Sequence, residues 1–317
     1  MNLLSVIFPC YNEEATLRPF TAALEELRPQ LPELELLLIN DGSGDGTEAL
    51  MRALAAEHPW IHYYSFSRNF GKESAILAGL AQARGDYAVV MDADLQDPPA
   101  LLPEMVRLVT EEGYDCVGTR RVNRKGEPPI RSFFARLFYR LINRMSDIQL
   151  VDGARDYKLL CRGAVNALLA MPEYNRFSKG LYEWVGFRTK WLEFENVERV
   201  AGETKWSFWK LFKYSLEGIC AFSTTPLIWS ALMGMLMMLA AFSGIVALII
   251  REYLYHVSAY GWTSMVCLVL LIGGIQLFCM GIMGQYLAKT YLETKRRPHY
   301  IIARSSEETL AKRGSEC

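Results

Sequence analysis

The stretch YAVVMDADLQDPP, Tyr87 to Pro99, decides how this 317-residue chain is read. It begins as a short apolar run bounded by turn residues, which reads as a buried strand. It then places Asp92, Asp94 and Asp97 within six positions and closes on Pro98 and Pro99, which end the ladder. Carboxylates at the tip of a buried strand are costly unless a cation or hydrogen bonds compensate them. The same kind of run occurs at 3–9 (LLSVIFP), 34–40 (LELLLIN), 61–67 (IHYYSFS) and 115–121 (DCVGTRR). Helical stretches begin near Glu13, Thr47 and Lys72, and a further one runs from Pro99 to Glu112. Alternation of near-continuous apolar strands with helices predicts an α/β fold with a mostly parallel sheet covered on both faces. Ligands in such sheets bind outside the carboxyl ends of the strands, so the polar residues there are the ones to weigh.

Charge is almost balanced, with Lys+Arg 34 and Asp+Glu 35. Neither this balance nor any motif points to nucleic acid as a partner. The seven cysteines show no CxxC and no regular spacing, which suits reduced thiols rather than a disulfide framework or a zinc site. The opening run lacks the basic region and small-residue cleavage site of a signal peptide and is expected to be a strand.

Two segments, Gly218–Ile250 and Ala259–Ala288, contain no Asp, Glu, Lys or Arg. A helix needs about 20 apolar residues to cross about 30 Å of hydrocarbon, so spans are placed near 224–250 and 262–288. Gly234, Gly244, Gly273, Gly274, Gly281 and Gly284 suit close helix contact in lipid and are compatible with a homo-oligomer built on the spans. Lys205, Lys210 and Lys213 precede the first span, and Lys289, Lys295, Arg296 and Arg297 follow the second. The positive-inside rule then puts the N-terminal domain and both termini in the cytoplasm of a multi-pass protein of the cell membrane. The segment KWSFWKLFKYSLEG, 205–218, mixes aromatics with lysines at helical spacing and reads as a helix lying in the membrane interface. The resulting division is 1–200 cytoplasmic domain, 201–222 interfacial helix, 223–290 transmembrane pair and 291–317 cytoplasmic tail.

At the strand tips, PCYNEE (9–14) holds Asn12, a candidate cap for the helix that follows. NDGSGDGT (40–47) projects Asp41 among glycines, and NFGKESA (69–75) sets Gly71 and Lys72 at a helix start suited to an anion. MDADLQDPP (91–99) offers hard oxygen ligands for Mg²⁺ or Mn²⁺ bridging to a diphosphate.

Together with RFSKGLYEWVGF (176–187) and ERVAGETKWSFWKL (198–211), these motifs resemble the inverting family 2 glycosyltransferases of GT-A (Rossmann-like) fold. More narrowly, the chain is similar to bacterial polyprenyl-phosphate glycosyltransferases such as the bactoprenol glucosyltransferases, and to dolichyl-phosphate mannose synthase. The resemblance spans nearly the whole chain. It implies that Pro9, Tyr11, Glu13, Asp41, Lys72 and Asp92 line the nucleotide sugar. It implies that Asp92, Asp94 and Gln96 hold Mg²⁺ or Mn²⁺, and that Asp94 and Asp156 are catalytic. Arg199 and Lys205, with Arg120, Arg124 and Arg131, are expected near the acceptor phosphate. The Gly usual before the catalytic Asp is Arg155 here, and the aromatic after it is Tyr157. The expected reaction moves a sugar, glucose from UDP-glucose by subfamily resemblance, to undecaprenyl phosphate at the cytoplasmic membrane face. The alternatives are a UDP-amino sugar, UDP-galactose or GDP-mannose as donor, or a non-catalytic nucleotide-sugar-binding membrane protein. A processive synthase would need more spans and a QxxRW-like motif, which the sequence lacks.

Overall fold

The computed structural model describes residues 3–92, 97–121, 140, 142–145, 148–171, 173–194, 222–255 and 261–306. The first half follows the expected alternation: β1 (Leu3–Cys10), α1 (Glu14–Leu27), β2 (Glu33–Asn40), α2 (Thr47–Glu57), β3 (Ile61–Phe66), α3 (Lys72–Gln82), β4 (Tyr87–Val90), α4 (Leu102–Thr110) and β5 (Cys116–Arg121). Five further elements of the sheet domain were not foreseen. They are β6 (Ala154–Cys161), α5 (Arg162–Leu169), α6 (Ser178–Trp184), β7 (Thr189–Phe194) and β8 (Ile302–Ser305).

Among the described residues these strands form one sheet in the order β7-β5-β6-β4-β1-β2-β3-β8. Its centre is parallel, as β4, β1, β2 and β3 run in one direction. The chain moves outward from β1 to β3 and then crosses back to β4 on the other side of β1, which makes the β1–β4 boundary the topological switch point where such sheets open a crevice. The mostly parallel sheet expected from the sequence is thus present, with antiparallel exceptions among the described strands. β6 enters antiparallel between β4 and β5, with Val90 opposite Lys158. It can occupy that interior place because Tyr157 and Leu159 join one core layer and Leu160 the other, while its buried Lys158 is paired with Glu183.

β1 shows why the centre is buried. Val6 and Phe8 pack under α1, α2 and α4, while Ile7 packs under α3, and all three are fully buried. Successive side chains of a strand point to opposite faces, so both faces must be covered. Gly79 lets α3 seat on β1, since a Cβ there would stand 2.2 Å from Ile7 Cγ2.

Beyond the sheet lie two long helices, α7 (Thr225–Tyr255) and α8 (Trp262–Thr294). Thr225–Leu248 and Leu271–Thr294 have mean hydropathies of 2.2 and 1.4 and are long enough to cross a membrane. Large apolar side chains such as Leu236, Phe242, Leu277 and Leu287 face outward. That much exposed apolar surface marks a lipid or partner face, not the core of a soluble domain. Ser223 and Thr225 donate their hydroxyls to the Met145 carbonyl at 2.5 and 3.0 Å where the chain enters α7. After α8 the chain returns to the sheet. β8 pairs antiparallel with β3, Tyr300 stacks on Phe66 at 5.2 Å, and Arg304 reaches Glu48 at 2.7 Å. The segment expected as a tail therefore supplies an edge strand. The interfacial helix expected at 201–222 lies outside the described residues except for Phe222.

Candidate active site

The crevice is built from four strand ends. Asn12 follows β1 with φ 57, and instead of capping α1 as expected its side-chain oxygen accepts from Gly44 N at 2.9 Å. Its own N–H donates to Ser43 Oγ at 2.9 Å, so the loops after β1 and β2 are clamped together. Tyr11 is 47% exposed at the rim, and Pro9 is buried opposite Ile39. Glu13 accepts the Thr16 hydroxyl at 3.1 Å, and its N–H donates to Thr47 Oγ1 at 3.0 Å.

After β2, Asp41 is almost fully buried and accepts from Phe70 N at 2.6 Å and Gly71 N at 3.0 Å. The anion expected at the start of α3 is thus supplied by the chain itself. Gly42 makes the contact feasible. Its φ is +66°, and a Cβ there would lie 2.4 Å from the Arg68 carbonyl carbon. Burial raises the Asp41 carboxyl, and the Phe70 and Gly71 N–H groups and Arg68 pull against it.

At the switch point, Lys72 opens α3 and sends its ammonium between two carboxylates. Nζ lies 2.6 Å from Asp92 Oδ1 and hydrogen-bonds Asp156 Oδ2. The register explains the meeting. Val90 faces Lys158, so continuing that register two residues forward from β4 and two back along β6 places Asp92 opposite Asp156. Burial alone would raise Asp156. Lys72, then Lys179 and Arg155, outweigh it and hold the carboxyl well below the usual range. Burial likewise works against the Lys72 charge, and Asp156 and Asp92 overcome it, lifting the ammonium well above an ordinary lysine. Asp97, the third carboxylate of the opening stretch, is held by a different cation, Arg155. It is buried and accepts from Arg155 Nε at 2.9 Å, while the same guanidinium stands 3.9 Å from Asp92 Oδ2. Arg155 therefore ties the loop after β4 to the start of β6.

At the carboxyl ends of the central strands the crevice thus presents one cation, Lys72, between two carboxylates. Residues 5–169 match glycosyl transferase family 2. The chain is a family 2 glycosyltransferase. It is 43% identical over 301 residues to the putative glycosyltransferase CsbB of Bacillus subtilis (strain 168), covering 95% of this chain and 91% of that one. It is 38% identical over 303 residues to the prophage bactoprenol glucosyl transferase homolog of Escherichia coli (strain K12), covering 95% and 98%. A solved structure of glucosyl-3-phosphoglycerate synthase from Mycobacterium tuberculosis, holding Mn²⁺, UDP-glucose and phosphoglyceric acid, is 22% identical with a TM-score of 0.47. It covers 69% of this chain and 78% of that one.

Among the residues expected from sequence, the glycosyltransferase brings Lys72, Asp92 and Asp156 into direct contact, with Tyr11, Glu13 and Asp41 on the neighbouring strand ends. Arg120 sits at the carboxyl end of β5, opposite Ala154, with its guanidinium bonded to Glu193. Asp94, Gln96, Arg124, Arg131, Arg199 and Lys205 lie outside the described residues. Sequence reasoning missed Asp97 as the partner of Arg155, and it missed Glu73 and Ser178. Glu73, next to Lys72, accepts from Ser178 N at 2.9 Å and from the Ser178 hydroxyl. Burial, then Asp156, raises the Glu73 carboxyl against the two Ser178 hydrogen bonds. The signal was present in RFSKGL, which the sequence reading used only as a motif.

Proposed function

We propose that the protein transfers a sugar from a nucleoside diphosphate donor to the phosphate of a polyprenyl lipid at the cytoplasmic membrane face, with UDP-glucose as donor and undecaprenyl phosphate as acceptor. The observation that carries this reading is the Lys72 ammonium held between Asp92 and Asp156 at the switch point of a family 2 sheet. The two long apolar helices and the acceptor named for the Escherichia coli relative support the lipid half of it. The basic residues flanking those helices support cytoplasmic termini.

The reaction is a single in-line displacement. An oxygen of the lipid phosphate bonds to the anomeric carbon as the bond to the diphosphate breaks, so an α-linked donor gives a β-linked product. The Lys72 ammonium, fixed before substrate arrives, faces the charge that develops on the leaving diphosphate. A phosphomonoester has a second pKa of about 6 and is largely dianionic at neutral pH, so the nucleophile needs little help from a base. Asp156, held far below neutrality by Lys72, is a poor proton acceptor at working pH. Its role is to orient the reacting groups.

Family membership implies a divalent ion. The Asp92 carboxylate is a hard oxygen donor, about one-fifth exposed at the crevice, and fits Mg²⁺ or Mn²⁺, which take one or two carboxylates and complete their shell with phosphate oxygens and water. Asp92 with Asp94 and Gln96 would hold it. When bound, the ion supplies Lewis-acid stabilisation of the leaving group.

The test is transfer from labelled nucleotide sugars to undecaprenyl phosphate in detergent or lipid, with Mg²⁺, with Mn²⁺ and with chelator, alongside Asp94→Ala. One donor should give a metal-dependent glycolipid that the variant cannot make. Nucleotide binding without transfer from any donor would leave the protein a nucleotide-sugar-binding membrane protein.

A further inference from the structure

A cavity of about 450 Å³ lies where the end of α8 meets the sheet domain. That volume falls within the range of small-molecule sites, about 300–1,000 Å³. Tyr286, Lys289, Thr290 and Glu293 line it from α8, at the three- and four-residue spacing that gathers side chains on one side of a helix. They occupy the last turns of the apolar segment Leu271–Thr294, which is headgroup level for a helix that crosses a bilayer. Leu181 and Phe222 close the cavity from the domain side. Tyr286 is fixed there, its hydroxyl donating to the Ser223 carbonyl at 2.6 Å.

Charge in the cavity comes in both signs. Lys289 and Arg296 bring cations, and Glu173 and Glu293 bring carboxylates. Glu293 Oε1 accepts from Tyr174 N at 2.8 Å and Asn175 N at 3.3 Å. Burial raises the Glu173 carboxyl, with Arg176 pulling against it and Glu293 adding to the rise. Asn175 Nδ2 is buried at the cavity and has no hydrogen-bond partner among the described residues, a loss that native structures rarely carry without a reason. Arg296 follows α8 with φ 47, the left-handed position that ordinarily goes to glycine. Its side chain is kept where the backbone would be better without one.

We propose that this cavity holds the headgroup of an aminophospholipid. The phosphate meets Arg296, Lys289 and the Asn175 side-chain N–H, and the primary ammonium meets Glu173. The acyl chains run along the outward apolar face of α8, at Met283 and Leu287. A purely anionic headgroup would leave both carboxylates facing charge of their own sign. A quaternary ammonium would offer Glu173 charge but no N–H donor. The inference goes beyond sugar transfer and shares with that reading only the placement of α8 in the bilayer.

The experiment titrates the full chain in detergent with phosphatidylethanolamine, phosphatidylcholine and phosphatidylglycerol of the same chains, and with soluble glycerophosphoethanolamine, reading Tm at each concentration. Phosphatidylethanolamine should raise Tm at about tenfold lower concentration than the other two lipids, the worth of one charge-assisted hydrogen bond. The soluble headgroup should give no shift over the same range, because the chains supply apolar burial. Arg296→Gly relieves the backbone, so its Tm without lipid should hold or rise, yet it should need about tenfold more phosphatidylethanolamine for the same shift. Glu173→Gln should bring phosphatidylethanolamine level with phosphatidylcholine. An equal response to the three lipids, or an unaltered titration in Arg296→Gly, would overturn the proposal. Protection by the soluble headgroup at lipid concentrations would overturn the lipid as the occupant. The titration needs no turnover, so it fails separately from the transfer reading, which falls if wild type glycosylates no lipid with any donor.

Discussion

Asp97→Ala removes one side of a buried ion pair. Asp97 is 1% exposed and the Arg155 side chain 16%, and they meet at 2.9 Å. Deleting one partner of such a pair strands the other charge, at a cost of about 3–5 kcal/mol. The stranded guanidinium keeps Asp92 at 3.9 Å and the field of Asp156, so the lower end applies, about 3 kcal/mol. At about 2–4 °C per kcal/mol for a domain of this size, Tm should fall by about 6–12 °C. Replacing both groups, Asp97→Leu with Arg155→Met, removes both charges and should cost no more than about 1 kcal/mol. The assay is thermal unfolding of the full chain in detergent for the single variants Asp97→Leu and Arg155→Met and their double, with Asp97→Ala alongside. Transfer by Asp97→Ala should also fall, since the freed guanidinium is drawn toward Asp92. A loss below about 1 kcal/mol in Asp97→Ala, or strictly additive single effects, would refute the assignment of this carboxylate as the counter-ion of Arg155.

Asp156→Asn should lower kcat by about a hundredfold with the shape of the pH–rate profile unchanged. Loss of a basic limb would instead make Asp156 a base. The Lys72–Asp156 pair should set a pH window for stability. The depressed Asp156 contributes above its unfolded value of about 3.9 and fades as pH falls through its folded value. The raised Lys72 contributes below about 10.4 and fades as pH rises through its own. The stability difference between wild type and Lys72→Met, read from melts, should be flat between those limits and shrink outside them. Gly42→Ala should cost about 1–3 kcal/mol, because it forces a side chain into a left-handed backbone position against the Arg68 carbonyl carbon, and it should weaken nucleotide affinity through Asp41. An unaltered affinity in a nucleotide titration would disconnect that cradle from the donor.

The four parallel strands were readable because each is apolar on both faces and so appears as a continuous run. Their tips, with Asp41, Lys72 and Asp92, were readable as a consequence of topology. β6 was not. Its run ARDYKLLC carries Arg155 and Lys158, both charged and both well buried, and a pattern of hydrophobicity cannot announce a buried cation whose partner lies elsewhere in the chain. Lys158 finds Glu183, 25 positions away, and Arg155 finds Asp97, 58 positions away. β8 was hidden for a different reason: a four-residue edge strand needs little hydrophobicity, and its pairing with β3 joins segments about 240 residues apart. The Glu73–Ser178 contact likewise spans 105 positions. Asn12 was misread because its local sequence suits a helix cap, while the loop it clamps comes from the next strand.

The helical hairpin leaves the sheet domain on the β6 side, at Met145, and its return strand docks on the far edge beside β3. A platform moored at a single point can swivel freely. Moored at two, it can only rock about the line that joins them. The switch-point strands β1 and β4 lie between these two attachments in the strand order. In the proposed reaction, a lipid headgroup confined to the bilayer plane would meet a crevice whose freedom to turn on the helix pair is restricted by both attachments.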